Sequence, residues 1–327
     1  MSAPLPSFVE PLGDGIHAVD TGFHRNRYDA AYLMVEGGRA AFIDTGTAFA
    51  VPRLLAALDA LGLARAAVDF VIPTHVHLDH AGGVGQLMQA LPGAQLVVHP
   101  RGARHMIDPA ALWQGALGVY GAAQMARAYG ELMPVDAARV RGTADGETIA
   151  LAGRPLAFAH TPGHALHHHC IWDERSGGWF TGDNFGMAYP EFNVGDRAFI
   201  IPATTPVQFE PEAMLASIAR LMAARPRQMF LTHYSRIGRV DDCAERLAGM
   251  IHRTVAAAQS QRDAPDRLAA LTAALMTLYG GGARAFGVAL PEAEIDALLR
   301  DDAALNAAGL INWLDRPARA SATTPAR

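Results

Sequence analysis

Residues 74–83 read THVHLDHAGG and follow directly on the apolar run VDFVIP, 68–73. His75 and His77 are two residues apart, and in extended backbone that spacing aims both side chains the same way. Asp79 and His80 come where the chain is expected to turn into a helix, with Gly82 and Gly83 allowing a tight bend. Three imidazoles and one carboxylate within six residues are the ligand types that zinc takes. The plainer reading, a polar loop that happens to be rich in histidine, is disfavoured by the apolar strand that leads straight into it.

Working outward, the segments IHAVD (16–20), AAYLMVE (30–36) and AAFID (40–44) are short apolar runs between polar or glycine-rich turns, which suits a meander of strands. Leu54, Leu55, Leu58 and Leu61 recur at helical spacing, and Gly62 suits the end of that helix. The run 68–75 reads as a buried strand, GGVGQLMQALPG (82–93) as a helix and AQLVVHP (94–100) as a strand. This alternation implies a sheet with helices packed on it. Residues 101–135, rich in Met, Trp, Tyr and Ala, are expected to be helical, either as a core or surface pair or as an apolar wall over the site. Strands return at 147–151, 155–160, 169–173 and 178–182. A proline-rich loop (186–211), a helix (212–224) and a last strand (228–232) then lead to His233.

The expected organisation is a main domain over 1–240, a helical extension over 241–315 and a disordered tail over 316–327. The triplet Gly280–Gly281–Gly282 is expected to interrupt the extension. Leu268, Leu271, Leu275 and Leu278 form a stripe that either packs on the main domain or builds a homodimer.

Composition narrows the function. The 327 residues are 50% hydrophobic and 18% charged, ordinary for a soluble globular chain. A net charge of −5 and a pI near 6.3, with no cluster of Lys and Arg, argue against nucleic acid as a partner. The N-terminal segment has neither a basic nor an apolar signal region, and no run is long and apolar enough to span a membrane, so a cytoplasmic location is expected. Cys170 and Cys243, two lone thiols, fit a reducing compartment and read as inert core residues.

Further metal-type residues stand alone in short turns beside apolar strands: His164 in TPGHALHHHC, Asp183 in WFTGDNFG and His233 in MFLTHYS. The order HxHxDH, His, Asp, His resembles the metallo-β-lactamase fold superfamily over roughly residues 15–240, with Asp44 in FIDTG matching the acidic residue that opens its pattern. The resemblance implies an αβ/βα sandwich of two mixed β-sheets flanked by helices, carrying two metal ions. By that resemblance His75, His77 and His164 hold one ion, Asp79, His80 and His233 hold the other, Asp183 bridges them, and Asp44 fixes a ligand histidine by a hydrogen bond. The TPGHAxHH stretch resembles a branch that commonly carries proline where this chain has Leu166.

The implied activity is hydrolysis of a small acyl compound, a lactone, ester, thioester or amide, with Asp79 passing a proton to the leaving group. Two zinc ions are the expected cofactor, with iron or manganese as alternatives. Of the three further histidines, His168 is the candidate for a catalytic contact and His169 for a core or surface role. Tyr28, Trp113, Tyr120, Phe185, Tyr189 and Phe192 are the candidate pocket aromatics, while His24, His99, His105 and His252 read as ordinary. Two rival functions remain: a mono-iron oxidoreductase of the persulfide dioxygenase type, whose pattern needs no second set of ligands, and a non-catalytic metal-binding protein.

Overall fold

The computed structural model describes residues 4–204 and 207–316; the expected disordered tail lies, but for Arg316, outside the described residues. The chain enters through strands β1 (Val9–Gly13), β2 (Ile16–Asp20), β3 (Ala30–Glu36) and β4 (Arg39–Ile43) and helix α1 (Val51–Ala60). Next come β5 (Val68–Ile72), the short α2 (Leu78–Ala81), α3 (Val84–Ala90), β6 (Gln95–Val98), α4 (Pro100–Ile107), α5 (Ala110–Gln124) and β7 (Val140–Gly142). The second half supplies β8 (Thr148–Leu151), β9 (Arg154–His160), β10 (His169–Asp173), β11 (Gly178–Gly182), α6 (Pro211–Ala223), β12 (Gln228–Leu231) and β13 (Ser235–Ile237). Three long helices close the chain: α7 (Val240–Ser260), α8 (Arg267–Phe286) and α9 (Glu292–Asp315).

The strands form two mixed sheets. Sheet one runs β1 to β7 in sequence order, and sheet two runs β13-β12-β11-β10-β9-β8. In sheet one the β1–β4 neighbours are antiparallel and the β4–β7 neighbours parallel. Alternation along each strand builds the layers. In β3, Tyr32 and Met34 point between the sheets with Ile43, Ile72, Phe158, Ile171, Phe180 and Phe230, while Ala31 and Leu33 point outward to pack on Leu54, Leu58 and Leu87. On the far side Cys170, Trp179, Met229 and Leu231 of sheet two share one buried cluster with α6 to α9. This is the αβ/βα sandwich that the family resemblance implied.

Several details differ from the sequence reading. The edge strands β1 and β7 were not anticipated, and β13 follows the strand expected to be last. The glycine triplet does not interrupt the helical region. It lies within α8, where a side chain at Gly282 would meet Met250 and Phe199 at 3.3 Å, so its glycine suits close packing. Gly82 and Gly83 form the turn between α2 and α3. Their backbone is helical (φ −61° and −86°), and a Cβ on Gly83 would come within 2.9 Å of the Thr47 carbonyl oxygen. Of the leucine stripe, Leu271 and Leu275 are buried in the shared cluster, Leu278 packs against it and Leu268 is exposed.

One buried arginine ties the sheets together. Arg154 of β9 donates to both carboxylate oxygens of Asp173 on β10 (2.7 and 2.5 Å) and to the carbonyl of Asp14 in the β1–β2 turn (2.5 Å).

Candidate metal centre

Each candidate donor sits where a strand stops. The 74–83 motif follows β5, His164 lies in the β9–β10 connection, Asp183 follows β11 and His233 follows β12. Those strands end at the same edge of the sandwich, so residues spread over 159 positions converge, as the difference between 75 and 233 plus one shows. Two groups of donor atoms form: His75, His77, His164 and Asp183, and then Asp79, His80 and His233. Within each group all the donors lie within 4.8 Å of one another.

In the first group His75 Nε2 and His164 Nε2 approach His77 Nδ1 at 2.8 and 2.9 Å. In the second, His233 Nε2 is 3.5 Å and His80 Nε2 3.8 Å from Asp79 Oδ2. Asp183 lies between the groups: Oδ1 is 3.1 Å from His80 Nε2 and 3.5 Å from His233 Nε2, and Oδ2 is 3.3 Å from His164 Nε2.

The outward-facing ring nitrogens fix which atoms face in. A carbonyl or carboxylate oxygen only accepts, so the nitrogen beside it carries the proton. His164 Nδ1 donates to the Ala203 carbonyl (3.0 Å), His233 Nδ1 to the Tyr28 carbonyl (3.1 Å) and His80 Nδ1 to Asp44 Oδ2 (2.9 Å). In its neutral form each of the three rings therefore aims its Nε2 lone pair at the cluster. Asp44, buried and at φ +55°, also accepts from Thr74 N (2.6 Å) and from the hydroxyls of Thr74 and Thr232. Aspartate is among the few residues that tolerate the left-handed region. Asp44 thus accepts a hydrogen bond from one of the candidate donor histidines, His80.

The electrostatics divide in two. Burial, reinforced by neighbouring imidazoles, lowers the pKa of His75 well below its usual range and that of His77 to about 3, so both are neutral. Burial opposes charge on His80 and His233 too, but Asp183 and Asp79 outweigh it, lifting His80 well above the usual range and His233 to about 9. Burial would raise Asp183, yet His80, His164 and His233 hold it well below the carboxylate range. A dense buried set of carboxylates that demands positive charge, beside imidazole lone pairs that converge, is a donor set for cations. His80 Nε2 and Asp183 Oδ1, both buried, face each other at 3.1 Å and have no other hydrogen-bond partner among the described residues. The residues fit a two-metal centre.

A cleft of about 700 Å³ opens beside His77, Asp79 and Asp183. The apolar face of α5 (Leu112, Gly115, Ala116, Val119) forms one wall, as one of the two sequence readings of 101–135 expected. Tyr28 and Tyr120 line the cleft as well. Trp113 does not, and packs instead near Leu78 and Tyr129. Phe185, Tyr189 and Phe192 are wholly buried beneath α7 to α9 and belong to the core rather than to the pocket. His168 is also wholly buried, with Nδ1 against the Thr161 hydroxyl (2.9 Å) and its ring stacked on His75 at 5.0 Å, away from the cleft. His167 reaches the cleft instead, while His169 lies against Thr143 and the Pro73 carbonyl. Cys170 and Cys243 are buried free thiols.

Sequence reasoning missed His24, His105, Arg104 and Arg127 on the cleft, and Asp301, Asp302 and Leu305 contributed by α9. None of these lies in a motif.

The layered sandwich with a donor cluster at its strand ends defines a class of metal-binding hydrolase-type scaffolds. The chain belongs to the metallo-β-lactamase superfamily, whose family model matches residues 26–233. It is 26% identical over 224 residues to the metallo-β-lactamase fold-containing protein ST1585 of Sulfurisphaera tokodaii, covering 67% of this chain and 78% of that one. The structure of that protein superposes with a TM-score of 0.63 over 91% of this chain and 98% of its own. A metallo-β-lactamase family protein of Thermus thermophilus, TTHA1429, superposes at 0.66, with 21% identity, over 93% and 94% of the two chains. Thioesterase pkgB of Emericella nidulans is 30% identical over 158 residues, 47% of this chain and 34% of that protein, so only about a third of its length is matched. Among the described residues no helix is long and apolar enough to cross a membrane.

Proposed function

We propose that the chain is a metal-dependent hydrolase of acyl compounds that holds two divalent ions, zinc first among those its nitrogen and oxygen donors suit. The observation that carries this reading is Asp183, whose two oxygens each face a separate group of donors. His75, His77 and His164 would hold one ion, Asp79, His80 and His233 the other, and Asp183 both. Two such ions, when bound, lower the pKa of water toward about 7 and polarise a carbonyl oxygen.

The chain's own residues shape the rest. Asp79 is more exposed than Asp183 and lines the cleft, so it is the carboxylate placed to take up a proton and return it to the leaving group. The α5 wall excludes water and suits an apolar acyl portion. Arg104 and Arg127, two cleft guanidiniums without a carboxylate partner among the described residues, suit an anionic group at the periphery. Lactones, esters, amides and thioesters form the candidate panel. Thioesters come first because one relative bears the name thioesterase.

The mono-iron dioxygenase reading has no use for the donor group Asp79, His80 and His233, and a non-catalytic reading has none for the cleft beside it. The test is turnover of the panel by metal-loaded protein. Hydrolysis that stops with a chelator and returns with zinc supports the proposal. Oxygen consumption with a thiol substrate, and no hydrolysis, would overturn it.

A further inference from the structure

Helix α9 buries mainly apolar residues, but two polar residues four apart on one face are buried as well: Asp302 at 5% exposure and Asn306 at 1%. Burying such groups is costly unless each is hydrogen-bonded. Both are, and each bond leads to a different half of the donor cluster.

Asp302 Oδ1 accepts from the Tyr28 hydroxyl (3.1 Å), and the Tyr28 carbonyl accepts the Nδ1 proton of His233 (3.1 Å). The Tyr28 ring also stands edge-on to His233 at 5.3 Å and stacks on Tyr189 at 5.2 Å. Asn306 clamps the extended segment 202–204: its Oδ1 accepts from Thr204 N (2.8 Å), its Nδ2 donates to the Pro202 carbonyl (2.9 Å), and its own carbonyl accepts from the Thr204 hydroxyl (3.1 Å). Ala203, held between them, presents the carbonyl that accepts the Nδ1 proton of His164 (3.0 Å).

We propose that α9 is a working part of the metal centre, in which Asp302 positions His233 through Tyr28 and Asn306 positions His164 through Ala203, so that the helical extension holds one histidine of each half-site in its metal-binding tautomer. The carbonyls of Tyr28 and Ala203 select the tautomer, and the α9 side chains hold those two backbone segments where they must be. This rests on the two-metal reading above. It assigns a role to the extension that packing alone does not require, since a leucine pair at 302 and 306 would bury as much apolar surface without constraining either segment.

The test is a two-site zinc titration of the full chain against a competing chelator, with cobalt absorption as a second readout, on the parent and on Asp302→Ala, Asp302→Asn, Tyr28→Phe and Asn306→Ala. Loss of a partner that orients a ligand costs 10- to 100-fold in metal affinity, and at one residue's remove a loss of about tenfold is expected. Asp302→Ala and Tyr28→Phe should weaken the site containing His233, and Asn306→Ala the site containing His164. In each case the other constant should stay within about threefold, a difference of less than about 1 kcal/mol. Asp302→Asn keeps an oxygen acceptor and should bind like the parent. Tyr28→Phe keeps the ring stack, so it reports even if Asp302→Ala fails to fold. Variants whose two constants are unchanged, or fall together with thermal stability, would overturn the proposal. A parent that binds fewer than two ions would overturn the metal reading itself, and this inference with it.

Discussion

Asp44→Asn isolates how the second group of donors is set. The backbone there has φ +55°, and asparagine tolerates that region as well as aspartate does, so strain is not the variable. Thr74 N is an obligate donor at 2.6 Å from Oδ1, so the amide oxygen must take that position. The amide NH₂ then replaces Oδ2, which now accepts from Thr232 Oγ1 at 2.8 Å and from His80 Nδ1 at 2.9 Å. Two donors would face each other across the His80 contact. The hydroxyl of Thr232 can rotate, but His80 escapes only by moving its proton to Nε2, the atom 3.1 Å from Asp183 Oδ1. A protonated Nε2 holds no metal. The expected loss is 10- to 100-fold in affinity at the site containing His80, about 1.4–2.7 kcal/mol, with the His75–His77–His164 site changed by less than about threefold. Chelator competition on variant and parent measures both constants, and the thermal unfolding of the metal-free proteins controls for folding. Two unchanged constants would refute the tautomer argument.

Four further outcomes follow from the same geometry. Asp183→Ala should lose affinity at both sites and turnover together; a fully metallated, active variant would show that Asp183 does not bridge. Asp173→Ala removes the bidentate partner of Arg154, 2% exposed, and leaves it only the Glu36 carboxylate at 3.5 Å, so it should cost about 1.5–3 kcal/mol in denaturant unfolding. Burial would raise the Asp173 carboxyl, but the Arg154 guanidinium holds it below its usual value; its stabilisation is therefore present above an unfolded pKa of about 3.9 and lost as pH falls below that, and the acid limb of a stability–pH curve should flatten in Asp173→Asn. Ala116→Trp fills the cleft wall and should raise KM for long acyl substrates more than for acetyl ones, whereas equal effects would place the acyl portion elsewhere.

The centre was legible because its chemistry is local. Four of its seven donors sit in one ten-residue stretch, and His164, Asp183 and His233 each follow an apolar strand, the one place where strands of a sandwich deliver side chains to a common edge. Asp44 was legible for the same reason, at the end of β4. The cleft was not legible. Phe185, Tyr189 and Phe192 are aromatic and lie near the motif in sequence, but α7 to α9 cover them, and nothing in local spacing reveals what a later helix will bury. Conversely, Asp302 meets Tyr28 across 274 positions, a contact written in no periodicity. The short edge strands β1 and β7 were missed because three to five residues carry little alternation, and the glycine triplet misled because close helix packing favours the same residue that ends helices.

If two donor groups that share Asp183 hold two ions, the metal content per chain of protein purified without added metal will show it. Close to two zinc ions per chain are expected. One iron per chain, with the Asp79–His80–His233 group empty, would contradict the two-metal reading.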